Sequence, residues 1–277
     1  MIGIGHGAAT ARTDLSFRRV EHHMSTAITL AGGGIDDASA DRFFGRVAEL
    51  EDLLSRFRPH SQISQLMRGE LDRDQVDPAI REVLVGCESL RALTDGDFEH
   101  EPRQASGNAD DLLLDVNAYA KGWIIEDAAT ALRMTADGFF VNAGGDILAT
   151  PRPDGTPWRV GIQHPADRGA ILGTFEVIAG AIATSGAYER GHHIRTATAP
   201  RLSSVTVTGA DLARADGLAT AVYASGESPP TWWLDVEPSY GLLTLSVDNR
   251  IRWIPPRQAS GLVWHFPSGP TPEPVGT

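Results

Sequence analysis

Cysteine is almost missing from this chain: Cys87 is the only one in 277 residues. That excludes an intrachain disulfide and a thiolate metal cluster, and within "REVLVGCESLRAL" the residue reads as a buried structural thiol. Basic charge is also scarce, with 24 Lys and Arg against 36 Asp and Glu, a formal net charge of -12. Nucleic acid and anionic membrane surfaces are therefore poor partners, because both need a basic face. An anionic small molecule would need a metal ion or aligned backbone dipoles to offset its charge. No run approaches the roughly 20 apolar residues of a membrane span, so no membrane insertion is expected. The opening "MIGIGHGAATARTDLSFRRVEHH" has neither the basic start nor the apolar core of a secretory signal, which makes a cytoplasmic protein the expectation. Its "GIGHG" lacks the preceding strand and following helix of a dinucleotide fingerprint. Neither an internal repeat nor a Gly/Ser linker divides the chain.

What is present is a mixture of helical and strand patterns without regular β-α alternation. The segment "RRVEHHMSTAITLAG" alternates as a strand and ends in the turn "GGGIDD". Residues 38–57 place Phe43, Phe44, Val47, Leu50, Leu54 and Phe57 at helical spacing, with Ser39 or Asp41 as the cap. A short helical turn follows in "RPHSQISQLMRGE", then a second helix over residues 78–93. The stretch "LLLDVNAYAKGWIIEDAATALRM" reads as a strand end, a tight turn and a helix, and "GFFVNAGGDILAT" as a strand broken at two glycines. Later strands lie in "WRVGIQHP", "ILGTFEVIAGAIATSG", "SSVTVTG" and "YGLLTLSVDNRIRWI". The fold class expected is α+β with a largely antiparallel sheet. One domain is expected over residues 19–254, between a flexible tail at 1–18 and a loosely ordered one at 255–277.

Four segments set isolated polar groups among small residues, which a pure core would not need. "DVNAYAKGW" holds Lys121, "VNAGGDI" holds Asn142 and Asp146 around paired glycines, "AIATSGAYERGHHI" holds Thr184, Ser185, Gly186, Tyr188, His192 and His193, and "ADGLATA" holds Asp216 and Thr220. Each has an ordinary structural reading as well: a glycine turn, a mid-helix Thr bonded to the i−4 carbonyl, a solvated Lys, a surface His. Asp216 and Thr220 stand four apart and therefore share one face of a helix. Burying such a carboxylate among Ala, Gly, Leu and Val is costly without a cation.

Taken in order, "HHMSTAI", "LSRFRPHSQISQLM", "AYAKGW", "VNAGGDI", "ATSGAYERGHHI" and "ADGLATA" resemble the motifs of the ApbE family, the FAD:protein FMN transferases. The resemblance implies an ApbE-like, T-fold-like α+β domain. It implies a divalent cation, usually Mg2+, on Asp216, Thr220 and a backbone carbonyl of the Lys-Gly turn at about Ala120. The reaction implied moves FMN from FAD to a Thr or Ser hydroxyl of an acceptor protein and releases AMP. His193 is then the base or proton shuttle for the acceptor hydroxyl, and the turn of Thr184, Ser185 and Gly186 offers N–H groups to phosphate. Met24 and Thr26 line the flavin-nucleotide pocket, Asn142, Gly145 and Asp146 form a loop on the same cleft, Tyr188 stacks on or edges the flavin ring, and Lys121 braces the metal-site turn or pairs with an acid. The chain departs from the family pattern at Ser25, where the family has Gly, and at Met67, where it often has Asn. After "HHI" it reads "RTATAPRLSSV" in place of Asp-Pro-x-Thr-Gly. Two alternatives stay open: an FAD pyrophosphatase that uses the same site with water as acceptor, and an FAD-binding protein without turnover, which the altered loop after His193 suggests.

Overall fold

The computed structural model describes residues 16–100, 115–186, 201–258 and 261–265, and among these residues it has eleven strands and five α-helices. In chain order the strands are β1 (Phe17–His23), β2 (Thr26–Gly33), β3 (Gly138–Ala143), β4 (Asp146–Ala149), β5 (Trp158–His164), β6 (Asp167–Val177), β7 (Gly180–Gly186), β8 (Leu202–Gly209), β9 (Gly241–Ser246), β10 (Ile251–Ile254) and β11 (Leu262–His265). The helices are α1 (Asp37–Leu54), α2 (Gln62–Met67), α3 (Pro78–Leu93), α4 (Asn117–Arg133) and α5 (Leu212–Ser225). Eight strands form one sheet in the order β1-β2-β3-β4-β7-β8-β9-β10, and β11-β6-β5 form a second. All the pairings are antiparallel. This is the α+β class expected.

The period of two along each strand decides the layers. Ile28, Leu30, Val141, Ala143, Leu148, Ala181, Ala183, Val205, Val207 and Leu242 point to one face of the large sheet and form a core with the helices. Their neighbours Ile147, Ala149, Ile182, Leu243 and Leu245 point to the other face and pack against Phe175, Val177, Leu262 and Trp264 of the small sheet. Central strands are therefore apolar on both sides. The helix layer comes from two insertions, α1 to α4 between β2 and β3, and α5 between β8 and β9. No helix among the described residues is long and apolar enough to cross a membrane.

Several expectations need correction. The single strand from Arg19 is a hairpin, β1 and β2, that begins at Phe17 and turns at Met24 and Ser25 with φ of 52° and 60°. Two left-handed residues make the tight hairpin turn usually written with Asn-Gly, and the sequence gives no such glycine. Helix α1 is capped by Asp36, whose side chain accepts from Ser39 N at 2.8 Å, rather than by Ser39 or Asp41. It stops at Leu54, so Phe57 is 74% exposed; Pro59 bars helical backbone at the residue before it. Lys121 and Gly122 lie inside α4 rather than in a turn. Thr184, Ser185 and Gly186 continue β7, paired with Thr206, Val205 and Ser204, rather than forming a turn. Strand β11 falls in the segment expected as a loose tail: Leu262 and Trp264 are buried while Val263 and His265 are exposed, an alternation visible in "LVWH".

Helix α5 explains its own composition. Squeezed between the sheet and α3 and α4, it buries ten residues, including Asp216, Gly217 and Leu218. A Cβ on Gly122 would lie 2.6 Å from both Cα and N of Ala213, so α4 and α5 touch backbone to backbone there. Gly122→Ala is expected to destabilise by about 1–3 kcal/mol, because neither backbone can yield as a side chain would. Gly45→Ala, on α1 with nothing within 4 Å of the new methyl, is expected to be neutral or stabilising by up to about 1 kcal/mol. Urea unfolding of the two variants checks the contrast.

Candidate active site

Two hairpin turns project from one end of the large sheet. Antiparallel pairing of β2 with β3 sets Met24–Ser25 beside Gly144–Gly145, where φ is 64° and 100°. The turns interlock: a Cβ on Gly144 would meet Thr26 Oγ1 at 2.5 Å, and Gly144 N donates to Ala27 O at 3.3 Å. Asn142 braces the second turn, its Oδ1 accepting from Gly145 N at 2.8 Å. Gly186 ends β7 at the same end of the sheet, since β4 and β7 run antiparallel.

Behind these turns lie two carboxylates, Asp146 at the start of β4 and Asp216 on α5, both fully buried. Lys121, reaching from α4, forms an ion pair with Asp146 and places its Nζ 3.6 Å from Asp216 Oδ2. One ammonium thus joins three elements. The Oδ1 of Asp146 also accepts from Thr184 N at 3.2 Å, so its carboxylate prolongs the β4–β7 ladder where the backbone of β4 has already turned away. Of the three N–H groups expected for phosphate, that of Thr184 is consequently engaged. One turn beyond Asp216, Thr220 Oγ1 stands 3.1 Å from Ser185 Oγ, while Thr184 Oγ1 on the opposite face of β7 pairs with Thr206 Oγ1 at 2.9 Å.

The structure therefore brings Lys121, Asp146, Thr184, Ser185, Asp216 and Thr220 into one connected set, with Met24, Thr26, Asn142 and Gly145 on the adjoining turns. Ala120 is buried in the first turns of α4, where a helical carbonyl is directed at the N–H four residues on. Gly186 lies on β7 beside the set; Tyr188 and His193 lie outside the described residues. The cation that a buried Asp216 needs is already supplied by the chain, as Lys121. Among the described residues no group of three or more His, Cys, Asp and Glu forms a metal cluster. What is available is a hard oxygen set, one or two carboxylate groups with the hydroxyls of Thr220 and Ser185, and this suits a divalent ion such as Mg2+ that keeps much of its water.

Glu126 was not among the residues expected. It stands four after Gly122 on α4, on the helix face that meets α5, and its carboxylate accepts from Leu212 N at 2.8 Å and Ala213 N at 3.5 Å. Two unpaired donors at the start of α5 are thereby satisfied, and Asp211 supplies the ordinary cap to Arg214 N at 2.6 Å. A Gly and a Glu at helical spacing were the only signal for this clamp in the sequence.

A sequence model of the ApbE family matches residues 100–240, more than half of the chain. The chain belongs to the ApbE family. A protein of Vibrio cholerae serotype O1 named FAD:protein FMN transferase is 34% identical over 156 residues, 50% of this chain and 46% of that protein. One of the same name from Haemophilus influenzae is 27% identical over 169 residues, 54% of this chain and 47% of that protein. The matched stretch thus spans about half the length of these curated relatives. The crystal structure of the ApbE protein of Thermotoga maritima superposes with a TM-score of 0.72 at 20% identity, covering 86% of this chain and 96% of that one, which shows the shared fold.

Burial, then the nearby charge of Asp211, push the Glu126 carboxyl up from 4.5 to about 7, against the pull of the Leu212 and Ala213 N–H groups. A carboxyl whose folded value is raised favours the folded state when protonated, so its contribution is full below about 4.5 and is lost as the pH rises towards 7. Glu126→Gln keeps an oxygen for Leu212 N and removes the titration. The wild-type protein is expected to lose on the order of 1–3 kcal/mol more than Glu126→Gln across that window. Urea midpoints of both proteins at the two ends of the range measure the difference.

Proposed function

We propose that this chain is a flavin transferase that moves FMN from FAD to a Thr or Ser hydroxyl of an acceptor protein and releases AMP. The observation that carries the reading is the pairing of Asp216 and Thr220, one turn apart on a buried helix, against Ser185 at the end of β7. A pure core has no use for these groups together. Membership of the ApbE family and the names of the two curated relatives support it.

In this reading Asp216, Thr220 and the Ala120 carbonyl would hold Mg2+. When bound, the ion offsets the charge of the FAD pyrophosphate, which a protein of net charge -12 could not neutralise with its surface. The turns at Met24–Thr26 and Asn142–Asp146 border the flavin nucleotide, and the left-handed backbone at Met24, Ser25, Gly144 and Gly145 keeps that border rigid. Tyr188 contributes a ring to the flavin. His193 takes the proton of the acceptor hydroxyl as its oxygen bonds to the phosphorus on the FMN side; the bond from that phosphorus to the bridging oxygen breaks, and AMP leaves with that oxygen.

The test follows AMP formed from FAD against Mg2+ concentration, with and without a Thr-bearing acceptor. Asp216→Ala is expected to lower Mg2+-dependent AMP release by about 100-fold or more, since it removes the charged ligand. Thr220→Val is expected to cost about tenfold, a neutral oxygen contributing less attraction. A wild-type magnesium response in Asp216→Ala would overturn the site. AMP release that ignores the acceptor would mark a pyrophosphatase, and FAD binding without AMP a binding protein.

A further inference from the structure

We infer that Lys121 is a resident counter-cation which holds the two buried carboxylates in the metal-free protein and competes with the divalent ion for Asp216. The inference rests on the metal site proposed above but concerns a different group. Asp146 and Asp216 have no exposed surface, and the Lys121 side chain is only 17% exposed. Two carboxylates in such a place would repel each other and lose their hydration. The ammonium is placed unequally between them, in a close ion pair with Asp146 and 3.6 Å from Asp216 Oδ2. The looser contact is the one to the proposed metal ligand.

That asymmetry defines the exchange. Asp146 is fixed twice, by Lys121 and by the N–H of Thr184 at 3.2 Å, so it keeps the ammonium when Asp216 turns to a stronger cation. A divalent ion on Asp216 and Thr220 then sits next to a fixed positive charge, which weakens its binding. In return the metal-free protein buries no uncompensated carboxylate, and the frame of α4, β4 and α5 persists while the ion comes and goes. Lys121 is in this sense a positioning residue that sets metal affinity, with no part in the transfer itself.

The experiment measures Mg2+ and Mn2+ binding by calorimetry, and melting temperature with and without each ion, for the wild type, Lys121→Met, Lys121→Gln and Asp216→Ala. Removing the ammonium is expected to tighten divalent binding by about tenfold or more. It is also expected to lower the metal-free melting temperature and enlarge the rise that the ion produces, because binding only to the folded state adds stability in proportion to affinity. A Lys121→Met protein that folds only with the ion would give the same support. Unchanged or weaker binding in both Lys121 variants overturns the inference, as does failure of both to fold at any ion concentration, since the ion could then not replace the ammonium. Loss of binding in Asp216→Ala alongside unchanged Lys121 variants would leave the metal site standing and remove only the competition; unchanged binding in Asp216→Ala would remove the site.

Discussion

Two carboxylates with no exposed surface constrain the elements around them. Asp146 and Asp216 come from a sheet hairpin and from a helix far apart in the chain, and the Lys121 ammonium from a third element helps to make their burial tolerable. The ammonium must arrive at a fixed height, which is why Lys121 sits on a helix rather than on a turn. The helix must in turn approach α5 closely, which is why the next residue is Gly122, set against the backbone of Ala213. Glu126, one turn further, closes the same contact by taking the first free N–H groups of α5. Charge, close approach and helix termination form one chain of dependence along a short run of α4.

The sheet contributes stiffness of another kind. Two adjacent turns with left-handed backbone, Met24–Ser25 and Gly144–Gly145, are locked by Thr26 against Gly144 and by Asn142 against Gly145. Non-glycine residues at positive φ are costly, and such strain persists where the surroundings over-determine it. Here the neighbouring hairpin does so. The result is a rigid rim formed largely by backbone, beside a polar interior formed by side chains.

Much of this was legible in the sequence. Helix α3 falls on residues 78–93 as its spacing predicts, while "GFFVNAGGDILAT", read as one strand broken at two glycines, is a hairpin of β3 and β4 that turns at those glycines. Asp216 and Thr220 share a helix face as their spacing requires, and the family was legible from short motifs in register. Other features were hidden for physical reasons. The first hairpin turn uses Met and Ser where a sequence reading looks for Gly or Asn, so two strands merged into one. The strand pattern of "ILGTFEVIAGAIATSG" runs through Gly186, as β7 does, and it was the family resemblance that made Thr184 to Gly186 a turn; the two faces of this strand do different work. Lys121 reads as solvated because nothing in a linear sequence shows two acids converging on it. Glu126 was invisible because its partners are backbone groups, which every residue carries.

The insertion of α1 to α4 between β2 and β3 has a kinetic side. These strands are neighbours in the sheet, Gly33 opposite Gly138, although the whole helical segment separates them in the chain. Pairing over such a span pays a large loop-closure entropy before any contact repays it, and topologies rich in distant contacts fold slowly. Thr26 precedes that closure and Gly144 follows it; Lys121 comes from within it and Asp216 from well beyond. No partly folded segment therefore gathers the polar set early. Nascent chains carry the acids and the lysine apart, each hydrated, and the buried polar set comes into being together with the completed sheet.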